Sequence, residues 1–332
     1  RQAAIGGGLP VRVPCTTSNK VCGSGLKAVM LAAQVIALGD AEVVVAGGME
    51  SMSHAPYLLD RARGGYRLGD GLLIDSLIHD GLWDVYNNFH MGVAAEQCAE
   101  TYKLSREMLD DFSIESYQRA QEAQKRGDFN QEIVSIPVRD RAGAHDFSED
   151  EEPGRVDFNR LRQLKPAFMP EGKITAGNAS PLSDGASALV LMSEHAAEKW
   201  GSPVMAVVGG YASTAAAPAL FTTAPVAAIT ALLKKTGHSF SDIDFFEINE
   251  AFAASSIAVM KELGIGSKKI NVRGGAIALG HPLGASGSRI LTTLAYLLED
   301  HQAKRGIASL CIGGGEAVAL LIERNNIGSV KK

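Results

Sequence analysis

The stretch GGAIALGHPLGASG, Gly274 to Gly287, is dense in glycine and holds a single histidine. Lys269–Val272 before it reads as a strand, Ser286 to Leu298 as a helix, and IASLCI (Ile307–Ile312) as a buried strand. Strand, turn, helix and strand in that order predict a parallel βαβ unit. Glycine clusters at its turns allow a backbone to approach a ligand closely. The same order occurs near the start of the chain. Val11–Pro14 reads as a short strand. From Gly25 to Leu38, Leu26, Val29, Met30, Ala33 and Ile36 recur at helical spacing before Gly39, a C-terminal stop. EVVVA (Glu42–Ala46) then reads as a buried strand ending in Gly47-Gly48.

The segment EAVALLIE after Gly313-Gly314-Gly315 resembles GASALVLMSE at Gly185–Glu194. The first unit therefore closes only after an insertion. The expectation is an α/β protein of two similar βαβ-rich halves: residues 1–49 with 181–200, and residues 201–332, with an insertion over 50–180. The opening RQAAIGGGLP reads as the end of a helix leading into a turn. Within the insertion, Gly92–Arg126 is helical with a break near Lys103, and Lys173–Ala176 reads as a hairpin or extended segment. The acidic run SEDEEPGRVD (Ser148–Asp157) reads as a solvated loop. The second half begins with a strand at Val204–Ala212. A helix at Val226–Thr236, a strand at Asp244–Ile248 and a helix at Glu250–Leu263 lead back to the glycine-rich stretch.

Composition narrows the function classes. With 332 residues, 46% hydrophobic and 21% charged, the chain is of ordinary globular type. A net charge of −5 gives no general attraction to nucleic acid or an anionic membrane. Four cysteines, Cys15, Cys22, Cys98 and Cys311, are too few for a disulfide framework, and none has zinc spacing. A reducing compartment is the expectation, cytoplasmic or mitochondrial, with no metal. The uncharged run Trp200–Leu233 is broken by Pro203, Pro218 and Pro225, which argues against a membrane span.

Reactive residues sit where strands end among glycines, the place where α/β sheets form ligand sites. Cys22 precedes Gly23-Ser24-Gly25 and a helix. It reads either as a packed small residue or as a thiol whose pKa the helix N-terminus lowers. His281, between Gly280 and Pro282, reads as a base or a hydrogen-bond donor. Asn249, ending an apolar strand, reads as a helix N-cap or as an amide orienting a water or a substrate oxygen. Cys311, before Ile312 and three glycines, reads as a second thiol in open surroundings. Two cysteines and a histidine so placed suit acyl transfer through a covalent thioester, with backbone N–H groups holding oxyanions.

The motifs NKVCGSG, GGMESMS, HMG, GNAS, NEAFA, GGAIALGHPLGASG and CIGGG, in this order over essentially the whole chain, resemble those of thiolases, most closely the acetoacetyl-CoA type. The resemblance implies the thiolase fold, stacked as α/β/α/β/α layers, with residues 50–180 as a loop domain covering coenzyme A. It implies a place in fatty acid metabolism, coenzyme A and acetyl-CoA as substrates with no bound cofactor, and a homodimer or homotetramer.

Carried onto matching positions, the resemblance makes Cys22 the acyl-accepting nucleophile, His281 its activator and Cys311 the acid/base. Asn249 would hold a water for one oxyanion hole, and the N–H groups of Cys22 and Gly313 would form the other. Met91 would close a short acyl pocket, and Leu82, His90, Phe168, Ala176, Ser180, Ala251 and Phe252 would line the pantetheine channel. A degradative 3-ketoacyl-CoA thiolase of broader chain length is the alternative, and an acyl-CoA-binding protein without catalysis a more distant one. The sequence departs from the family pattern in showing no N-terminal strand–helix–strand portion. It also places Glu316 after CIGGG, near Cys311, has Pro181 and Ser183 in GNASPLSDG, and carries STAAAP at Ser213–Pro218.

Overall fold

A computed structural model describes residues 1–140 and 143–324. A one-turn helix, α1 (Gln2–Gly6), precedes α2 (Ser24–Ala37), β1 (Val43–Ser51) and the short pairs β2 (Tyr57–Leu58) with β3 (Ile74–Asp75) and β4 (Trp83–Asp84) with β5 (Phe89–His90). Then come α3 (Met91–Thr101), α4 (Arg106–Arg126), the hairpin β6 (Ile136–Asp140) and β7 (Gly143–Phe147), and the short helices α5 (Glu152–Arg155) and α6 (Phe158–Leu161). The chain continues through β8 (Asp184–Met192), α7 (Glu194–Trp200), β9 (Val207–Ala215), α8 (Ala224–Thr236), β10 (Phe245–Ile248) and α9 (Ala253–Leu263). It ends with α10 (Ala276–Leu279), α11 (Leu283–Asp300), β11 (Arg305–Ile312) and β12 (Glu316–Glu323).

The larger sheet has the order β10-β11-β12-β9, and β1 pairs with β8 in a second sheet. Period-two alternation along β12 explains how the larger sheet is covered twice. Val318, Leu320 and Ile322 face a core with α2 and α11, whereas Ala317, Ala319 and Leu321 face one with α8. Burial on both faces accounts for the continuous apolar run of β11. Helices α2 and α11 thus form a layer between the two sheets, and α8 with α9 forms an outer one. The far face of β1–β8 exposes Val45, Met49 and Val190, so four of the five expected layers are built among the described residues.

Several expectations are corrected. Val11–Pro14 forms turns and no strand, because Pro10 and Pro14 lack donors and the Arg1 guanidinium takes the Val11 and Val13 carbonyls. The pairing of β1 is with β8, antiparallel, so among the described residues the parallel strand pair is that of β10 beside β11, in the second half. There, Lys269–Val272 contributes a single bridge, Phe246 to Ile270. At Asn271, φ of 45° turns the backbone away. Its side chain continues the ladder, accepting from Ile248 N (2.9 Å) and donating to Ile248 O (2.8 Å). Of the hairpin or extended segment expected at Lys173–Ala176, the hairpin is absent, since no strand is present there. The acidic run is interrupted by α5, where buried Pro153 accepts at its carbonyl from Gln121 on α4 (2.7 Å). The helical break near Lys103 is present, with φ of 52° at that residue. Of the second half, residues 325–332 lie outside the described residues.

The two central helices touch backbone to backbone near their N-termini. A Cβ on Gly25 would lie 2.7 Å from Ser288 N, and one on Gly287 would meet Leu26 N. Because backbone cannot yield as a side-chain tip can, Gly287→Ala is expected to cost about 1–3 kcal/mol. The expected reading is a lower urea midpoint at unchanged m-value.

Candidate active site

Cys22 lies just before α2, whose N-cap is Gly23. The preceding loop is cross-bonded. Val21 N–H donates to Asn19 Oδ1 (2.8 Å), Lys20 N–H donates to Ser24 Oγ (2.8 Å), and the Ser24 hydroxyl donates to Val21 O (2.7 Å). These bonds hold Val21 at φ of 49°, an outlier for a β-branched residue. The Cys22 thiol is pushed up to about 11 by burial; the N–H groups of Gly313 and of Cys22 itself pull the other way, and the Glu50 carboxylate adds to the rise. The expectation of a thiol lowered by the helix start is corrected: removal from water outweighs the local N–H groups.

His281 is 6% exposed and sits between α10 and α11, after Gly280 with φ of 91°. The Ser286 hydroxyl donates its one proton to Pro282 O (2.9 Å), so it can only accept from His281 Nδ1 (2.5 Å). That assigns the proton to Nδ1 and leaves Nε2 unprotonated, an acceptor facing the Asn249 amide nitrogen. Burial, aided by Arg289, lowers the imidazole pKa to about 3. The pair at rest is therefore a neutral thiol and a neutral imidazole.

Asn249 is not an N-cap, since α9 begins at Ala253 with Phe252 before it. Its N–H extends the β10 ladder to Ser309 O (3.0 Å), and its Nδ2 lies 3.3 Å from His281 Nε2. Its Oδ1 is buried with no hydrogen-bond partner. Cys311, near the end of β11, is 3% exposed. The open surroundings expected for it are corrected: it packs in a core with Met91, Ala251, Phe252 and Ala278. Burial, and then the neighbouring Cys22 thiol, push its pKa well above the usual thiol range. Gly313 begins the turn between β11 and β12. Glu316 ion-pairs with Lys20 instead of acting on Cys311.

Met91 comes against the turn, its Cε 3.5 Å from where a Gly313 Cβ would stand. His90 stacks on Phe168 (centroids 4.7 Å apart), which meets Phe252 edge-on (6.3 Å). His90 Nδ1 accepts from Gly92 N (3.0 Å) as the N-cap of α3, so its Nε2 carries the proton. Ser180 donates from N and from Oγ to Ala251 O, each at 3.1 Å. Leu82 is half-buried, beside Trp83, which pairs with His90. Ala176 is exposed.

Two acidic side chains escaped the sequence reading. Glu250, 1% exposed, accepts from Ser116 Oγ (2.6 Å), Asn271 Nδ2 (2.9 Å) and Ile277 N (3.3 Å), and so anchors the chain leading to His281. Glu50 accepts from Gly284 N (3.0 Å) in the first turn of α11. Both follow strand residues in motifs, NEAFA and GGMES, but their partners are remote in sequence. No group of residues among those described could hold a metal ion.

Residues 1–195 match the model of the thiolase N-terminal domain, and residues 202–324 that of the C-terminal domain. The chain belongs to the thiolase family. It is 52% identical over 327 residues to the acetyl-CoA acetyltransferase of Pseudomonas aeruginosa, covering 98% of this chain and 83% of that protein. Acetyl-CoA acetyltransferase 2 of Arabidopsis thaliana is 50% identical over 326 residues, covering 97% and 81%. Among solved structures, human mitochondrial 3-ketoacyl-CoA thiolase superposes with TM-score 0.94 at 40% identity, covering 98% of this chain and 82% of that one. The Bacillus anthracis acetyl-CoA acetyltransferase gives TM-score 0.94 at 42% identity, covering 97% and 82%.

A neutral resting thiol has a measurable consequence in this thiolase. Alkylation of Cys22 by iodoacetamide should climb about tenfold per pH unit across the neutral range, with no plateau until pH approaches about 11. Peptide-resolved mass spectrometry separates Cys22 from exposed Cys15; a plateau near pH 7 would show a preformed thiolate.

Proposed function

We propose that this thiolase interconverts two acetyl-CoA with acetoacetyl-CoA and CoA by ping-pong transfer through S-acetyl-Cys22. What supports the reading is one constellation: Cys22 beside the Gly313 N–H, buried Cys311 close by, and His281 held with Nε2 unprotonated. In the first half-reaction, Cys22 sulfur bonds to the thioester carbonyl carbon while its proton passes to His281 Nε2. The bond to the CoA sulfur breaks, and Cys311 supplies the proton that sulfur takes. A thiol whose pKa burial has raised begins protonated, as this role requires.

In the second half-reaction, the Cys311 thiolate removes the α-proton of another acetyl-CoA. The enolate carbon bonds to the acetyl carbon, Cys22 leaves, and His281 returns its proton. Both cysteines and the histidine then stand as they began. A thioester α-proton is weakly acidic, so the enolate oxygen needs donors worth several kcal/mol. Asn249, through a water on its amide, and His281 are assigned to it, with Gly313 and Cys22 N–H groups serving the acetyl oxygen.

Met91 against the turn favours a short acyl chain, and the stacked His90 and Phe168, with Phe252, Leu82, Ala176, Ser180 and Ala251, are assigned to the pantetheine arm. The resemblance to human 3-ketoacyl-CoA thiolase supports the second reading, a broader thiolysis. We further infer a homodimer or homotetramer, which would give the exposed apolar residues Met49, Tyr57, Leu68 and Leu72 a partner. A reducing compartment, cytoplasmic or mitochondrial, suits four free cysteines. No helix among the described residues is long and apolar enough to cross a membrane.

Mixing with acetyl-CoA is expected to leave one acetyl group on the Cys22 peptide. Cys22→Ser should lower kcat at least about 10³-fold. Cys311→Ala should still accept the acetyl group but lose α-proton exchange. Thiolysis profiles should favour acetoacetyl-CoA; a preference for long chains would move the assignment to the second reading.

A further inference from the structure

We propose that the Lys20–Glu316 ion pair is a positioning clamp that holds the Cys22 loop against the Gly313–Gly315 turn; the proposal rests on the reading of Cys22 as nucleophile. Both segments that this ion pair joins are costly to hold. On one side Val21, between Lys20 and Cys22, keeps a left-handed backbone with φ of 49°. Such a conformation persists in a β-branched residue only when its surroundings over-determine it. On the other side Gly313 opens a three-glycine turn, with φ of 93° at Gly314 and 88° at Gly315. Glycines have the most backbone freedom to lose on being fixed.

The bonds from Asn19 and Ser24 shape the Cys22 loop only from within. Across the gap, Gly23 packs against Ile312 and Val318, where a Cβ would come within 3.0 Å of Ile312 Cγ1. That contact fixes a distance of approach but no direction. Lys20 and Glu316 supply the direction. Lys20 stands two residues before the sulfur, and Glu316 is the first residue after the three glycines. Among the described residues, theirs is the ion pair that joins the two loops.

Glu316 also pairs with Ala215 across β12 and β9, so its backbone is fixed by the sheet. The clamp therefore ties the Cys22 loop to a strand held in the sheet. Its side chains are 31% and 35% exposed, which makes the interaction sensitive to salt.

The rival account of Lys20 is electrostatic: its charge would favour a Cys22 thiolate, and Glu316 would merely mask it. The two accounts predict opposite signs. In the full-length wild type, Glu316→Gln and Lys20→Met, the rate of Cys22 acetylation is measured by quenched-flow mass spectrometry. Each single variant is expected to be slower by about two- to fivefold, the range for a partly exposed ion pair. The double variant should be no slower than either single one, because both remove the same interaction. The swap Lys20→Glu with Glu316→Lys should recover most of the loss. Salt at high concentration should slow the wild type and leave the single variants nearly unchanged. KM should not move, which separates a positioning effect from lost substrate binding.

Acceleration in Glu316→Gln would overturn the clamp in favour of the electrostatic account. An unchanged rate, or failure of the swap to recover it, would overturn it as well. If wild-type Cys22 takes no acetyl group, the nucleophile assignment fails by itself. The clamp is then read from iodoacetamide alkylation of Cys22, where the same ordering of variants is expected and its absence counts against it.

Discussion

Two helices cross where neither has room for a side chain, and the candidate active site is organised by that contact. Gly25 of α2 lies against the first turns of α11, and Gly287 of α11 lies against Leu26. Each helix starts just after a residue of the site: Cys22 precedes α2, and His281 precedes α11. Bringing their N-terminal turns together brings those two loops to one end of the layer between the sheets. Larger residues at the crossing would separate the helices by the width of a side chain, and reacting groups tolerate far less displacement than that.

Around this contact, the chemistry of the site is governed by exclusion of water. Burial raises both thiols and lowers the imidazole, so three groups that could carry charge all rest neutral. The hydrogen-bond network does what a preformed ion pair would otherwise do. Ser286 spends its only proton on Pro282 O and thereby fixes which nitrogen of His281 is unprotonated. Glu250 gathers Ser116, Asn271 and Ile277 about one buried carboxylate, holding the glycine-rich segment against the end of β10. Such a network costs no reorganisation when charge develops, which is the condition for strong electrostatic stabilisation.

Local pattern made much of this legible. The helices at Ser24–Ala37 and Leu283–Asp300 follow from the local pattern, and the strands β10 and β11 from their apolar runs. Cys22, His281 and Cys311 stood out as polar or sulfur-bearing side chains close to glycines, and Asn249 as the polar residue ending an apolar strand. Strand partners were less legible. Val11–Pro14 has the composition of a strand but no neighbour to bond with, and Lys269–Val272 loses its ladder to the Asn271 side chain. Pairing is a property of two distant segments, and neither segment records it alone.

The amino-acid sequence by itself determined the layered α/β class, the family and the residue types of the candidate site, because these depend on periodicity and on motifs short enough to read in place. Only the tertiary structure decided protonation and direction. A helix start beside Cys22 argued for a lowered pKa, and burial by segments far along the chain reversed it. Glu316 stood five residues after Cys311, yet its charge is taken by Lys20, nearly three hundred positions earlier. Desolvation and ion pairing act through space, so neighbours in the chain could not foretell them.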